Sequence, residues 1–463
     1  MRQLLAIVVT ALLLAPVQAG ERQNVIFILI DDLGWSDLSC TGSDFYKTPN
    51  IDRLAAGGMK FTNAYSACTV CSPTRASFLT GKYPARLRIT DWIPGHNRPK
   101  ARLKVPEWTQ ALPNDEITVA EVLKASGYAT GHIGKWHLGK DNGPELHGFD
   151  FTLAGTHMGQ PPSFFSPYKL PTLSNGPDGE YLTDREGDEA CRFIEAHRDK
   201  PFFLYLPHHC VHTPIQAKKP LIEQYKAVSK PGARHSNATY AAMIHSLDES
   251  IGKILAKLEE LKIAERTTII FTSDNGGLMG VTSNAPLRVG KGSAYEGGVR
   301  VPLIVKSPGI TPAGSVCEQV VITPDFFPTA IELSGARVDA KLAPVLDGTS
   351  LLPAMRDPKQ GLNRDAVYWH YPHYHPGGAT PYSALRAGNW KLIEFFEDNH
   401  IELYDLGNDV SESKNLADTM PEKAAELRKQ LHAWRERVQA QLPSPNPDYD
   451  PHEAQGSRKA KKQ

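Results

Sequence analysis

The chain has 463 residues, with 51 Lys+Arg against 51 Asp+Glu and 41% hydrophobic residues, enough for one large or two ordinary domains with full cores. A net charge of zero provides no bulk basic field, which argues against an electrostatic nucleic-acid binder. The ordinary apolar fraction argues against a mainly disordered chain, and 37 Gly with 36 Pro foretell many ordered loops.

Residues 1–19 read as a secretory signal. Arg2 is followed by an apolar run, Leu4 to Ala15, broken only by Thr10, and Val17-Gln18-Ala19 offers a cleavage site. No Cys follows for a lipid anchor, and no later run is long enough to span a bilayer. The expectation is a mature protein from about Gly20, periplasmic or secreted, with no membrane span.

Asn24–Ile30 is a β-branched-rich apolar run that predicts a strand buried on both faces and stops at Asp31-Asp32. Ile117–Ser126 predicts a helix and Pro201–Leu206 a buried strand. Ala238–Leu261 has Met243, Leu247, Ile251, Ile254, Leu255 and Leu258 at helical spacing. Thr267–Thr272 repeats the character of the first strand and stops at Ser273-Asp274-Asn275-Gly276-Gly277; Pro302–Lys306 is a further strand. Strands alternating with helices over residues 20–355 predict an α/β sheet covered on both faces. Polar ligands of such sheets sit at the carboxyl ends of strands, where both acidic pairs fall.

From 356 to 442 the texture changes. Ala366–Tyr371, Tyr382–Ala387, Trp390–Phe396 and Ile401–Asp405 are at hairpin spacing, and Pro421–Gln441 carries Leu427, Leu431, Trp434 and Val438 on one helical face. A small antiparallel sheet with one packed helix is predicted. Residues 443–463, Pro-rich and then basic (Arg458, Lys459, Lys461, Lys462), are expected to be a disordered, solvated tail. There is no internal repeat.

Asp31, Asp32, Asp274 and Asn275 offer only oxygen ligands, which suit Ca²⁺ or Mg²⁺ over zinc. Cys68 and Cys71 have no second pair nearby to complete a zinc site. With Cys71 committed to chemistry, Cys40, Cys68, Cys191, Cys210 and Cys317 are an odd number, so at least one thiol is free. In Cys71-Ser72-Pro73-Thr74-Arg75, Pro73 suits the first turn of a helix, which places Cys71 where the backbone N–H groups and the helix dipole favour an anion. Arg75 lies one turn on, so a nucleophile stands beside a guanidinium, an arrangement for attack on a tetrahedral oxyanion. Lys135 and Lys291 are flanked by glycines, which should let a ligand approach the backbone. Lys135 and His137 should share one face of an extended segment, and His137 and His212 are candidate proton movers.

These residues resemble the type I sulfatases, the arylsulfatases and carbohydrate sulfatases, whose signature Cys-x-Pro-x-Arg is intact at Cys71 to Arg75. The resemblance runs over about residues 22–440. Asp31-Asp32, Gly134-Lys135-Trp136-His137-Leu138-Gly139, His212-Thr213-Pro214, Asp274-Asn275-Gly276-Gly277 and Lys291-Gly292 with Tyr295-Glu296-Gly297-Gly298 fall in the family's order. It implies an alkaline-phosphatase-like mixed sheet covered by helices on both faces, with a smaller C-terminal antiparallel sheet plus helix. It implies a sulfuric ester hydrolase in which a formylglycine-generating enzyme oxidises Cys71 to formylglycine. Asp31, Asp32, Asp274, Asn275 and residue 71 would hold Ca²⁺, with Mg²⁺ the lesser alternative. Arg75, Lys135 and Lys291 would hold the sulfate. One hydroxyl of the hydrated aldehyde would attack sulfur, His212 with Lys291 would assist departure of the alcohol, and His137 would take a proton from the second hydroxyl to expel sulfate.

Three stretches are rich in sugar-binding groups: Asp91-Trp92 to Arg98, His157 to Gln160, and Trp369 to His375. Asp91, Trp92, Arg98, His157, His370, His373 and His375 are the candidate substrate residues. With the signal-like start they favour a sulfated carbohydrate, and the His/Tyr/Trp loop suggests a galactose or N-acetylgalactosamine 4-sulfate. The alternatives are a phosphonate or phosphodiester hydrolase of the same superfamily and a non-catalytic glycan-binding homologue.

Overall fold

The computed structural model describes residues 22–451. The signal-like segment and the basic end of the tail lie outside the described residues.

Eight strands form the main sheet: β1 (Asn24–Ile30), β2 (Met59–Phe61), β3 (Ala129–Ile133), β4 (Phe151–Leu153), β5 (Phe202–Pro207), β6 (Thr267–Ser273), β7 (Leu303–Lys306) and β8 (Ser315–Cys317). Their order is β8-β2-β7-β6-β1-β5-β3-β4. β1 runs parallel to both β5 and β6, whereas β7 is antiparallel to β6 and β2, so the sheet is mixed.

Every residue of β1 is buried because its two faces feed different cores. Ile26, Ile28 and Ile30 pack in one core with Phe193, Leu247 and Ile251. Val25, Phe27 and Leu29 pack in the other with Phe78, Leu79 and Phe327, and the Phe27 and Phe78 rings stack with centroids 3.8 Å apart. The period of two sends alternate side chains to opposite helical layers. The helices that matter for the site are α1 (Cys71–Thr80), α2 (Val119–Ala125), α3 (Leu182–Ala196) and α4 (Ala238–Glu260).

The C-terminal sheet is an antiparallel meander of β9 (Val367–Tyr371), β10 (Tyr382–Ala387), β11 (Trp390–Phe395) and β12 (Ile401–Asp405). The helix α5 (Pro421–Arg437) packs on it through Leu427, Leu431 and Trp434. This helix stops short of the expected Gln441.

The first part of the tail departs from expectation. Ser444 and Pro445 pair antiparallel with Lys104 and Leu103, and Asn446 N–H donates to Arg102 O at 3.2 Å. A short edge supplied by residues 103–104 docks this segment. All six cysteines are free thiols, and no helix among the described residues is long and apolar enough to cross a membrane.

Candidate active site

The two central parallel strands deliver the acidic pairs to one place. Just beyond β1, Asp31 N–H donates to Cys210 O at 3.1 Å, and just beyond β6, Asp274 N–H donates to Ile30 O at 3.0 Å. Asp32 is left-handed (φ 64°), and its N–H meets Asp274 Oδ1 at 3.2 Å. Asn275 Nδ2 donates to Asp32 Oδ1 at 2.8 Å. Oxygens of Asp31, Asp32 and Asp274 lie within 4.8 Å of one another, all buried.

Three carboxylates so close and so dry require positive charge. Arg75 donates to Asp274 Oδ2 through Nε at 3.0 Å and Nη2 at 2.7 Å, with Nη2 also 3.5 Å from Asp31 Oδ1. Lys135 Nζ is 2.7 Å from Asp31 Oδ2, and Lys291 Nζ is 2.6 Å from Asp32 Oδ1. Burial pushes Asp32 up, but Lys291 and His212 outweigh it and hold the carboxyl below the usual range. Burial, with Asp31 beside it, pushes Asp274 up to about 6 despite Arg75. Asp31 Oδ1 and Asn275 Oδ1 are buried acceptors without a hydrogen-bond donor. A partnerless buried acceptor costs about 1–3 kcal/mol, so an all-oxygen set with two spare acceptors fits a hard divalent cation.

Cys71 is the first residue of α1, after Val70 in extended geometry. Its Sγ is 3.8 Å from Lys291 Nζ, and ligand atoms of Cys71, Asp31 and His212 lie within 4.8 Å of one another. Burial pushes the Cys71 thiol up. Arg75, fully enclosed, grips carboxylates and the Lys135 carbonyl.

The segment from Lys135 to His137 is not extended throughout, because His137 is left-handed (φ 59°). Alternation therefore does not describe it: Lys135 turns to Asp31, and His137 Nε2 lies 2.6 Å from Ile93 O. A carbonyl only accepts, so Nε2 carries the hydrogen and the buried Nδ1, which has no partner, is left as the basic nitrogen. Ser72 Oγ donates to His137 O at 2.9 Å and accepts from Ile93 N–H at 3.1 Å, tying α1 to both.

His212 Nδ1–H donates to Thr213 O at 3.0 Å, and its Nε2 accepts from Lys291 Nζ at 3.2 Å. Burial pulls His212 down to about 3, so the imidazole is neutral beside the charged lysine. Burial would lower Lys291, but Asp32 more than offsets it and the ammonium is held above its ordinary range.

The glycines beside the two lysines serve the chain itself. A Cβ on Gly134 (φ 121°) would lie 2.1 Å from Pro207 O, and one on Gly292 (φ 78°) 1.8 Å from His375 Nδ1. These positions are taken by protein atoms, so close approach of a ligand is not their purpose.

A cavity of about 450 Å³ opens over this floor, with Asp32, Cys71, His137, His212 and Lys291 below and Trp92, His96, Gly159, Gln160, Thr213, Leu278 and His375 around it. Trp92 and His375 are the two nominated substrate residues that line it. Asp91 lies buried outside it, accepting from Tyr371 OH at 2.7 Å and from Trp92 N–H at 2.9 Å. His373 is buried against Thr90 Oγ1 at 2.8 Å. His370 is turned toward the C-terminal sheet and the segment after α5, bonded to Ser383 Oγ at 2.7 Å and to Gln441 O at 2.8 Å. Arg98 and His157 are not in the wall, and His157 is exposed. His96 and Gln160 sat inside nominated stretches without being singled out. Leu278, directly after Gly276-Gly277, had only its closeness to Asp274 to mark it.

A mixed sheet with this polar cluster at its carboxyl edge is the alkaline-phosphatase-like architecture, here with a small antiparallel sheet attached. The sulfatase family profile matches residues 23–336, and that of the N-sulphoglucosamine sulphohydrolase C-terminal region matches residues 289–441. A sulfatase of Formosa agariphila is 34% identical over 94% of each chain. The N-acetylgalactosamine-6-sulfatase of Mus musculus is 32% identical over 90% of this chain and 80% of its own. The crystal structure of Ps i-CgsB in complex with k-i-k-neocarrahexaose superposes with a TM-score of 0.77 and 28% identity, covering 96% of this chain and 98% of that one. The chain belongs to the type I sulfatase family and is a sulfuric ester hydrolase.

Proposed function

We propose that this sulfatase removes sulfate from a galacto-configured sugar of a glycan, with Cys71 matured to formylglycine and Ca²⁺ held by Asp31, Asp32, Asp274 and Asn275. The observation that carries this reading is the convergence of Cys71, Asp32 and the Lys291–His212 pair at the floor of one cavity with an aromatic and polar wall, with Asp31, Asp274 and Asn275 gathered around Asp32. The N-acetylgalactosamine-6-sulfatases at 32–36% identity support a galacto sugar. The 4-sulfate suggested by the sequence stands beside relatives named for the 6-position, so O4 and O6 are the positions to compare.

The hydrated aldehyde would supply an attacking oxygen together with a second hydroxyl that gives an internal route to sulfate release. Bound Ca²⁺ would supply charge stabilisation at a sulfate oxygen. Arg75 fixes Asp274 and Asp31, so its part is to hold the carboxylates in place. Lys291 lines the cavity and brings fixed positive charge to the sulfate in a partly dry site, where such a group commonly contributes about 3–4 kcal/mol, while Lys135, buried on Asp31, adds its charge from beneath the floor. His137 Nδ1 accepts the proton whose removal lets sulfate leave. Lys291, with His212 as its hydrogen-bonded neighbour, donates to the departing sugar oxygen. The Trp92 face stacks on the ring, while His96, Gln160 and His375 meet hydroxyls.

The wider reading is a periplasmic or secreted protein, exported by residues 1–19 and matured by a formylglycine-generating enzyme, with a catalytic domain 20–355 and a C-terminal subdomain 356–442. Two measurements test it together: the mass of the peptide containing residue 71, and sulfate release from 4- and 6-sulfated galactose, N-acetylgalactosamine and their gluco counterparts, with and without Ca²⁺ after chelation. Conversion of Cys71 and Ca²⁺-restored release from a galacto sulfate are expected. A retained thiol in fully active protein, or activity confined to gluco sulfates, would overturn the corresponding half of the proposal.

A further inference from the structure

Glu186 is a buried carboxylate outside the reacting cluster. It lies on α3, and its side chain is 0% exposed, as are those of His208 and His209. Its Oε2 is 2.7 Å from His208 Nδ1 and its Oε1 is 2.6 Å from His209 Nδ1. A lone buried carboxylate is costly, and two imidazole N–H groups are the compensation. Burial pushes this carboxyl up, but His209 and His208 prevail and bring it down to about 2. Accepting both bonds, the carboxylate sets each ring with its hydrogen on Nδ1. His209 Nε2 has no hydrogen-bond partner among the described residues, so Glu186 is that ring's polar anchor.

The two histidines open the turn that follows β5, and the turn's main chain fastens the reacting groups. Lys135 N–H donates to Pro207 O at 2.7 Å. Asp31 N–H donates to Cys210 O at 3.1 Å, and Val211 N–H returns to Asp31 O at 2.9 Å. His212 N–H donates to His209 O at 3.2 Å, and His212 Nε2 then meets Lys291 Nζ at 3.2 Å. One hydrogen bond joins Glu186 to His209, one joins His209 to His212, and one joins His212 to Lys291.

We propose that Glu186 is a positioning residue which, through His208 and His209, sets His212 against Lys291 and thereby controls departure of the sugar alcohol. This rests on the role proposed above for the Lys291–His212 pair at the leaving oxygen. A shift of about 1 Å in such a pair is enough to cost roughly 10²-fold in rate. The loss falls on poor leaving groups, because a sugar alkoxide needs a donated proton and a nitrophenolate does not.

The test measures kcat and KM for 4-nitrophenyl sulfate and for a sugar sulfate, in wild type, Glu186→Gln and His212→Ala. Glu186→Gln keeps the shape of the side chain but replaces one acceptor by a donor that must face a histidine N–H. Expected for Glu186→Gln is a loss of about 10-fold in kcat on the sugar sulfate, with less than about 3-fold on the nitrophenyl ester and little change in KM; His212→Ala should show the same bias at about 10²-fold. Equal losses on both substrates in Glu186→Gln, with the bias present in His212→Ala, overturn the positioning role alone. Equal losses in His212→Ala overturn the role of the pair, and the relay with it. Should Glu186→Gln melt below the assay temperature, His209→Leu, which deletes one arm of the relay and leaves the carboxylate, is put through the same comparison with the same deciding outcomes.

Discussion

Cys71 sits in surroundings that work against an ordinary thiol nucleophile. Burial pushes the thiol up more strongly than Lys135 and Lys291 pull it down, so an unmodified side chain stays protonated and slow. Replacement by alanine should lower sulfate release by at least about 10³-fold while the melting temperature holds; a variant retaining a tenth of the activity would remove residue 71 from the chemistry. Asp91 is a different case, since burial pushes its carboxyl up to about 7 despite the bonds from Tyr371 and Trp92. A folded pKa above the unfolded value means that stability from this group is complete below about pH 4 and is lost as pH rises through about 7. Asn mimics the protonated form, so the wild type should lose about 2–4 kcal/mol relative to Asp91→Asn between pH 4 and 8, read from urea melts; parallel stability curves would contradict it. At this scale the motifs were legible because each is contiguous: Asp31-Asp32, Cys71 to Arg75 and Asp274-Asn275 meet as expected from strand ends and a helix start. His370 and His373 were not legible. Whether a histidine faces a cavity or a serine hydroxyl is decided by the register of β9 on β10, which pairs His370 with Ser383, and composition says nothing about register.

β1, β6 and α4 were legible because they bury whole faces with unbroken apolar patterns, whereas the charged-residue-rich α3 and β3, interrupted by Gly131 and His132, were not among the expected elements. β1 has its expected bounds, and α4 ends one residue before Leu261. β2, β4 and β8 were not, because three residues of strand carry no periodicity that a loop lacks. Caps sharpen boundaries that periodicity leaves loose. The predicted helix Ile117–Ser126 begins at Val119 because Thr118 Oγ1 accepts from Glu121 N–H at 3.2 Å while Glu121 Oε2 accepts from Thr118 N–H at 2.7 Å. Thr118 Oγ1 also donates to His147 O at 2.8 Å. Thr118→Ala should therefore cost about 1–2 kcal/mol of stability with sulfate release unchanged, since α2 contributes no residue to the cavity wall. Differential scanning calorimetry beside a sulfate assay checks both halves, and an activity loss with no thermal shift would refute the cap as the cause.

The units carrying the main sheet and the C-terminal sheet are fastened by side chains from four separated segments, of which only Glu296 stood in a motif read from the sequence. Glu296 opens the four-residue helix Glu296–Val299 that follows the loop carrying Lys291. Its Oε1 is 2.9 Å from Lys391 Nζ of β11, its Oε2 accepts from Tyr65 OH at 2.6 Å, and its N–H donates to Glu412 Oε2 at 2.7 Å. Lys391 Nζ also lies 2.9 Å from Glu412 Oε1, with both side chains fully buried. Arg288, at the start of the same loop, donates to Tyr404 OH at 3.0 Å and to Glu412 O at 2.9 Å. The loop that presents Lys291 to the cavity is thus held from behind by the C-terminal sheet. Burial already pushes Glu412 up to about 7, with Lys391 the main restraint. Lys391→Met fills the same space but leaves Glu412 without a cation in a dry site, facing a Glu296 that keeps Arg300 Nη1 at 3.3 Å from its Oε2, so Glu412 must take up a proton. The expected cost is about 3–5 kcal/mol, with a loss of sulfate release as the Lys291 loop loosens. Adding Glu412→Gln removes one stranded charge and should restore part of that stability, so the double variant melts above the single one. Urea denaturation of the three proteins decides it: a single variant as stable as the wild type, or a double variant no more stable than the single, would mean that the buried lysine does not fasten the two units.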